Sequence, residues 1–192
     1  FFSPPTPPPP MLRSLVGSEM CIRDSLGPVG QLGYVVEDLE KAAWSWVEKA
    51  GVGPWTVIPH VTLDYFNYLG EPSEVEMGIA MAFTGSMQIE LIQQHNDAPS
   101  MYRDFINECG EGIQHVCFYP ENYDSALESL TGTGMSVRQD GAIRGMRFAY
   151  LEGMDGNVLE LGDIPEKVRL RRQDDISSAA CWDGSDPVRV FK

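Results

Sequence analysis

Positive charge is scarce in this chain. Its 192 residues carry 14 Lys and Arg against 28 Asp and Glu, a formal net charge of -14. Nucleic acid and anionic membrane surfaces are themselves negative, so a surface of that sign counts against non-specific binding to either. No apolar run approaches the roughly 20 residues a membrane helix needs, and the expectation is a soluble chain with no membrane partner. Cysteine is sparse as well. Cys21, Cys109, Cys117 and Cys181 show no CxxC and no framework spacing, which points away from a disulfide scaffold and toward free thiols in a reducing compartment. With no secretory apolar core of adequate length near the start, a cytoplasmic location is expected. What is present is ordinary globular material, 43% hydrophobic and 22% charged, enough for one domain or two small modules sharing a core.

The first 25 residues read as a non-native leader. Phe1–Pro10 is proline-rich, and Met20-Cys21-Ile22-Arg23-Asp24-Ser25 looks like the in-frame translation of a transposon end used in preparing sequencing libraries. From Gly30 the pattern becomes regular. Gln31–Val36 reads as a strand. Asp38 can cap a helix in which Leu39, Ala42, Ala43, Trp46, Val47 and Ala50 recur at helical spacing, ending at Gly51. Strands are expected at Trp55–Ile58, Met77–Phe83 and Met87–Ile92, the last two joined tightly at Thr84-Gly85-Ser86. Between the first two lies a loop rich in aromatics, with Asp64, Tyr65, Phe66 and Tyr68.

A polar linker with a short helix, Ser100–Cys109, leads into a second pass through the same order. It runs as a strand at Ile113–Phe118, a helix face of Tyr123, Ala126, Leu127 and Leu130 closed by Gly132, then strands near 135–138, 147–151 and 158–161, with Asp155-Gly156 as the last hairpin turn. Superposing Gln31 on His115 also superposes Leu39 on Tyr123, Ala42 on Ala126 and Trp46 on Leu130, an offset of 84 residues. Glu90 and Glu160 then fall in the last strand of each pass, an offset of 70. An internal repeat accounts for this. The expected organisation is a leader over 1–25, one α+β domain over 28–165 made of two βαβββ modules (30–95 and 112–163), and an extension over 166–192. The extension is basic at Lys167, Arg169, Arg171 and Arg172 and suggests a terminal helix with a frayed tail.

Each of four apolar strands carries one polar residue in an apolar setting: Gln31, Glu90, His115 and Glu160. Side chains alternate faces along a strand, so each points away from its immediate apolar neighbours. His115 is expected to share its face with Ile113 and Cys117. One imidazole, two carboxylates and an amide oxygen would make a hard-to-borderline site for a divalent ion with room for water or substrate. A lone His or Glu in a strand is more often a barrel-mouth or edge residue, but four in matching registers of a repeat point to metal. His60 and His95 fall outside these registers and read as surface residues. Arg144 and Arg147 read as solvated turn charges, and Glu74 and Glu76 as strand-edge charges. Cys117 reads as core.

Several segments resemble the vicinal oxygen chelate superfamily, which includes glyoxalase I, methylmalonyl-CoA epimerase, extradiol dioxygenases and bleomycin-resistance proteins. They are Gln31-Leu32-Gly33-Tyr34-Val35-Val36-Glu37-Asp38-Leu39-Glu40-Lys41-Ala42, Gln88-Ile89-Glu90-Leu91-Ile92, Gly110-Glu111-Gly112-Ile113-Gln114-His115-Val116 and Gly156-Asn157-Val158-Leu159-Glu160-Leu161. The resemblance implies a cupped mixed sheet around a divalent metal (Zn, Ni, Co, Mn or Fe) with Gln31, Glu90, His115 and Glu160 as ligands. That set looks like glyoxalase I, whereas the segment 110–118 looks more like the epimerase. It also implies an isomerase, epimerase or lyase that moves a proton next to a carbonyl of a small thioester or hemithioacetal-like substrate, with Glu160 as base and Glu90 as second choice. A ligand-binding protein without turnover is the alternative. An extradiol-type dioxygenase is a third reading, for which Gln31 stands where a histidine would be wanted. A coenzyme A ester would need basic residues near the cup, for which only Lys167–Arg172 offers itself. Some relatives pair modules between chains, so a homodimer sharing the ligands stays open.

Overall fold

The structure is a computed structural model that describes residues 26–153 and 156–191. The leader, with Cys21, and the turn residue Asp155 lie outside the described residues.

The first module opens with β1 (Val29–Val35) and α1 (Leu39–Ala50). Asp38 accepts from the Lys41 amide at 3.0 Å, and Gly51 turns left-handed at φ 66° to collect the helix's last carbonyls. A cap of the first kind contributes about 1 kcal/mol, and the second needs a residue without a Cβ. Then come β2 (Trp55–Ile58), the short pair β3 (Tyr65–Tyr68) and β4 (Glu71–Pro72), and the hairpin β5 (Met77–Thr84) and β6 (Met87–Gln94). After α2 (Met101–Cys109), N-capped by Ser100, the second module repeats the order as β7 (Gly112–Phe118), α3 (Tyr123–Gly132), β8 (Ser136–Ile143), β9 (Met146–Glu152) and β10 (Val158–Gly162). The chain continues as α4 (Glu166–Ala180) and β11 (Val188–Val190).

Among the described residues all strands join one sheet in the order β11-β2-β5-β6-β1-β7-β10-β9-β8-β3-β4. The two modules meet at the antiparallel pair β1 and β7, and each first strand lies parallel to the last strand of its own module. The repeat is visible in the register: Gly33 pairs with Glu90 in one module and Cys117 with Glu160 in the other, which are the offsets of 84 and 70 read from the sequence.

Alternation sorts the apolar residues into two faces. The outer face packs Val36, Ala80, Ile89 and Leu91 against Leu39 and Ala43 of α1, and Ala149, Leu151 and Leu161 against Tyr123 and Ala126 of α3. The inner face gathers Val35, Met77, Ile79, Ile92, Phe148 and Tyr150 around Phe66 and the Met101 and Tyr102 side chains of α2.

Two expectations are corrected. The aromatic loop is a two-stranded hairpin, and it crosses to the other module: Tyr65 to Tyr68 pair with β8, Phe66 is buried and Tyr65 is exposed. From β2 to β3 in a flat sheet would be eight strand spacings, about 38 Å at ~4.8 Å each. The seven residue steps from Ile58 to Tyr65 reach at most about 25 Å. The open sheet therefore curves, and its inner face is concave. The tail, for its part, is not frayed: β11 pairs in parallel with β2 at Val188, Arg189 and Val190, because the edge of β2 offered unpaired amides and carbonyls. No helix among the described residues is long and apolar enough to cross a membrane.

Candidate metal centre

Glu90, His115 and Glu160 stand on β6, β7 and β10, with β1 between the first two, so the centre occupies the middle of the concave face. One donor atom from each of the three lies within 4.8 Å of the others. His115 Nε2 is 2.9 Å from Glu160 Oε2 and 3.9 Å from Glu90 Oε2. At 2.9 Å one expects a hydrogen bond, yet neither His115 Nε2 nor Glu160 Oε2 makes one, and both atoms are buried. Orphaned buried polar atoms cost about 1–3 kcal/mol each. Two of them facing one another fit a common partner between them. On an ion with bonds of ~2.1 Å, ligands at right angles are ~3.0 Å apart and opposite ones ~4.2 Å, so the observed separations suit one divalent cation.

The imidazole is held from its other nitrogen. Its Nδ1 lies 2.7 Å from Gln114 Oε1, which can only accept, so the proton sits on Nδ1 and the lone pair on Nε2. Adjacent residues of a strand should face opposite ways, but the β1–β7 register slips here: Gly33 pairs with His115 and Tyr34 with Ile113, leaving Gln114 as a bulge. The bulge turns Gln114 inward beside His115 and puts Ile113 out at 55% exposure. Ile113 therefore does not share the histidine's face, whereas Cys117 is fully buried. Beneath the ring is Gly33, where an added Cβ would overlap the imidazole. Tyr150 meets the ring edge-on at 4.8 Å and its hydroxyl accepts from Tyr102 at 3.0 Å.

Burial raises Glu90 well above the usual carboxylate range, the neighbouring Glu160 raises it further, and the Gln31 amide and Arg172 pull it back. Burial and the field of the same carboxylates raise the Tyr102 and Tyr150 hydroxyls, which stay protonated donors. His115 has no exposed side-chain area, but Glu90 and Glu160 keep 13% and 11%. What approaches the centre thus meets the carboxylates first.

Gln31 lies on the same face, alongside the cluster. Its Nε2 donates to Glu90 Oε2 and its Oε1 accepts from the Tyr119 hydroxyl. Tyr119 went unread in the sequence, and Arg172 was read only as part of a basic run, since neither belongs to a strand register. Arg169 and Arg172 are occupied within the fold, Arg169 on the Tyr119 and Pro120 carbonyls at 3.0 and 2.6 Å and Arg172 on Gln88 and the Gly30 carbonyl. Neither offers a ready anchor for a phosphate. Arg147 bridges Asp124 and Asp163, so it is a structural tie. His60 and His95 stack on each other at 5.0 Å, away from the centre.

Residues 30–150 match the sequence model of the Glyoxalase/Bleomycin resistance protein/Dioxygenase superfamily. No curated protein matches the chain. Among solved structures, a hypothetical protein from Bacillus halodurans C-125 is similar at 18% identity with a TM-score of 0.54, over 72% of this chain and 95% of that one. A methylmalonyl-CoA epimerase from Mycobacterium tuberculosis is similar at 16% identity and TM-score 0.51, over 76% and 93%. Another methylmalonyl-CoA epimerase, in complex with methylmalonyl-CoA and NH4+, is similar at 17% and 0.52, over 74% and 97%. At these identities the likeness is one of fold.

Proposed function

The chain belongs to the glyoxalase/bleomycin resistance protein/dioxygenase superfamily, and from that premise we propose that it is a metal-dependent isomerase, epimerase or lyase that shifts a proton next to a carbonyl. The observation that carries the proposal is the pair of orphaned atoms, His115 Nε2 and Glu160 Oε2, held 2.9 Å apart with Glu90 Oε2 3.9 Å from the imidazole. Glu90, His115 and Glu160 are the residues that would hold a divalent ion. Such an ion supplies a Lewis acid that polarises a carbonyl and offsets the negative charge developing as the neighbouring carbon loses its proton.

The chain's own groups do the rest. Glu160 is the proton acceptor: its side chain keeps 11% exposure, and a carboxylate has a second oxygen to offer while Oε2 faces His115 Nε2. Glu90 is the weaker choice, because the Gln31 amide already occupies the oxygen nearest His115. On the concave face Tyr102 donates its hydroxyl proton to Tyr150, which leaves the Tyr150 hydroxyl as the one with a proton to offer a substrate oxygen. His115 is fixed by Gln114 in the tautomer that leaves Nε2 for the ion. One histidine with two carboxylates is not the two-histidine, one-carboxylate set of an iron dioxygenase.

Small thioesters and hemithioacetal-like adducts are the proposed substrate class, because both carry a proton made acidic by an adjacent carbonyl or hydroxy-carbonyl carbon. With Arg169 and Arg172 engaged inside the fold, half of the basic run Lys167–Arg172 is withdrawn from a coenzyme A phosphate, which favours the smaller adducts. The test is a screen for solvent deuterium incorporation into acyl-CoA and α-hydroxy-carbonyl compounds by the metal-loaded protein. Exchange that disappears in Glu160→Gln, with circular dichroism unchanged, supports the assignment. Full exchange in that variant removes Glu160 from the role of base.

A further inference from the structure

Tyr119 sits at the end of β7 in a slot made for its ring. An added Cβ on Gly30 of β1 would come within 2.6 Å of the ring on one side, and one on Gly162 of β10 within 2.7 Å of it on the other. Over it lies the Arg172 guanidinium from α4, 4.4 Å from the ring centre, whose Nη2 donates to the Gly30 carbonyl at 3.0 Å and whose Nη1 donates to Gln88 Oε1. The hydroxyl so placed donates to Gln31 Oε1, and Gln31 Nε2 donates to Glu90 Oε2. Both ends of the Gln31 amide are therefore engaged. With Glu90 ionised, as it would be on an ion, its carboxylate only accepts, so the group facing it is the NH2 and the oxygen is turned toward Tyr119.

An amide ligates through its oxygen. Resting on the metal reading above, we propose that Gln31 is a positioning residue and not a ligand, and that the C-terminal extension fixes it there: Arg172 clamps Tyr119, Tyr119 holds the amide oxygen away from the ion, and the amide nitrogen holds Glu90 in place. The ion would then be held by three side chains, Glu90, His115 and Glu160, with the place of a fourth protein ligand left to water or substrate. The helix α4, which has no buried residue of its own, earns its seat on the sheet through this chain of hydrogen bonds.

The test is metal affinity, by competition with a chromophoric chelator, and the visible absorption spectrum of the Co(II)-loaded protein. Gln31→Leu is expected to load Co(II) with band positions and intensities unchanged, while affinity falls about tenfold as Glu90 loses its donor. Tyr119→Phe and Arg172→Met, milder changes that keep the ring slot filled or the helix intact, should lower affinity severalfold with the native spectrum. A shifted or intensified Co(II) spectrum in Gln31→Leu overturns the proposal by showing the residue in the coordination sphere. Native affinity in both Tyr119→Phe and Arg172→Met overturns the role of the extension. A wild-type chain that takes up no Co(II) fails at the earlier step, the metal reading itself.

Discussion

Gly33 lies directly across the strand pair from His115, and the imidazole rests in the space a side chain at position 33 would fill. The glycine on β1 is thus part of how β7 presents its histidine. Gly33→Ala should force the ring or the backbone to move, at a cost of about 1–3 kcal/mol for an overpacked interior, and should weaken metal binding by at least about tenfold as the ring loses its aim. Thermal denaturation and chelator competition on the same variant check both parts; native affinity would show that the ring has freedom the packing does not suggest.

Gln114 sets the histidine's tautomer. Gln114→Leu removes the acceptor for Nδ1–H and is expected to lower metal affinity by about 10–100-fold, whereas Gln114→Glu keeps an acceptor and should lose far less. Isothermal titration of Zn(II) into the two variants separates them. Equal losses would mean that the bulge, not the hydrogen bond, matters.

Much of this centre was legible in the sequence. The four polar residues announced themselves because two copies of one strand order put them in equivalent registers, and the register pairs Gly33 with Glu90 and Cys117 with Glu160 keep those offsets. The helix cap at Asp38 and the helix end at Gly51 were legible for a local reason: their hydrogen bonds close within a few residues. Gln114 was hidden because a bulge breaks the period-two rule on which facing is read. Tyr119, the partners of Arg172, the β3 pairing onto β8 and the docking of β11 on β2 were hidden for a different reason. They depend on contacts across 50 or more residues of sequence, and no periodicity records a partner that far away.

The aromatic hairpin invites the idea of a mobile lid, but Phe66 is buried among Tyr102 and Phe148 at ring separations of 6.2 Å each. Phe66→Ala is expected to cost about 3–5 kcal/mol of stability through the cavity it opens. Chemical denaturation measures it. A cost under about 1 kcal/mol would return the hairpin to the class of surface lids.

Metal-free protein should show an unusual response to pH. Burial and Glu160 hold Glu90 well above the usual carboxylate range in the folded chain, while the unfolded chain gives up that proton near pH 4. The folded state thus binds more protons, and a raised carboxylate contributes stability that is complete below the unfolded pKa and is lost as pH rises toward the folded one. The denaturation midpoint of the metal-free chain is expected to fall as pH is raised above about 4, and the part due to Glu90 should vanish in Glu90→Gln, which cannot ionise. Saturating divalent metal should abolish the fall as well, because it holds the carboxylate charged. Parallel slopes in wild type and Glu90→Gln would contradict the cause given.

Everything functional depends on Glu90, His115 and Glu160 meeting at one ion. The direct measurement is metal content of the purified chain by mass spectrometry after loading with a divalent metal and gel filtration, beside His115→Ala treated identically. One tightly held ion per wild-type chain and none in the variant is the expected result; a wild-type chain that emerges free of metal, or a variant that keeps it, contradicts the account.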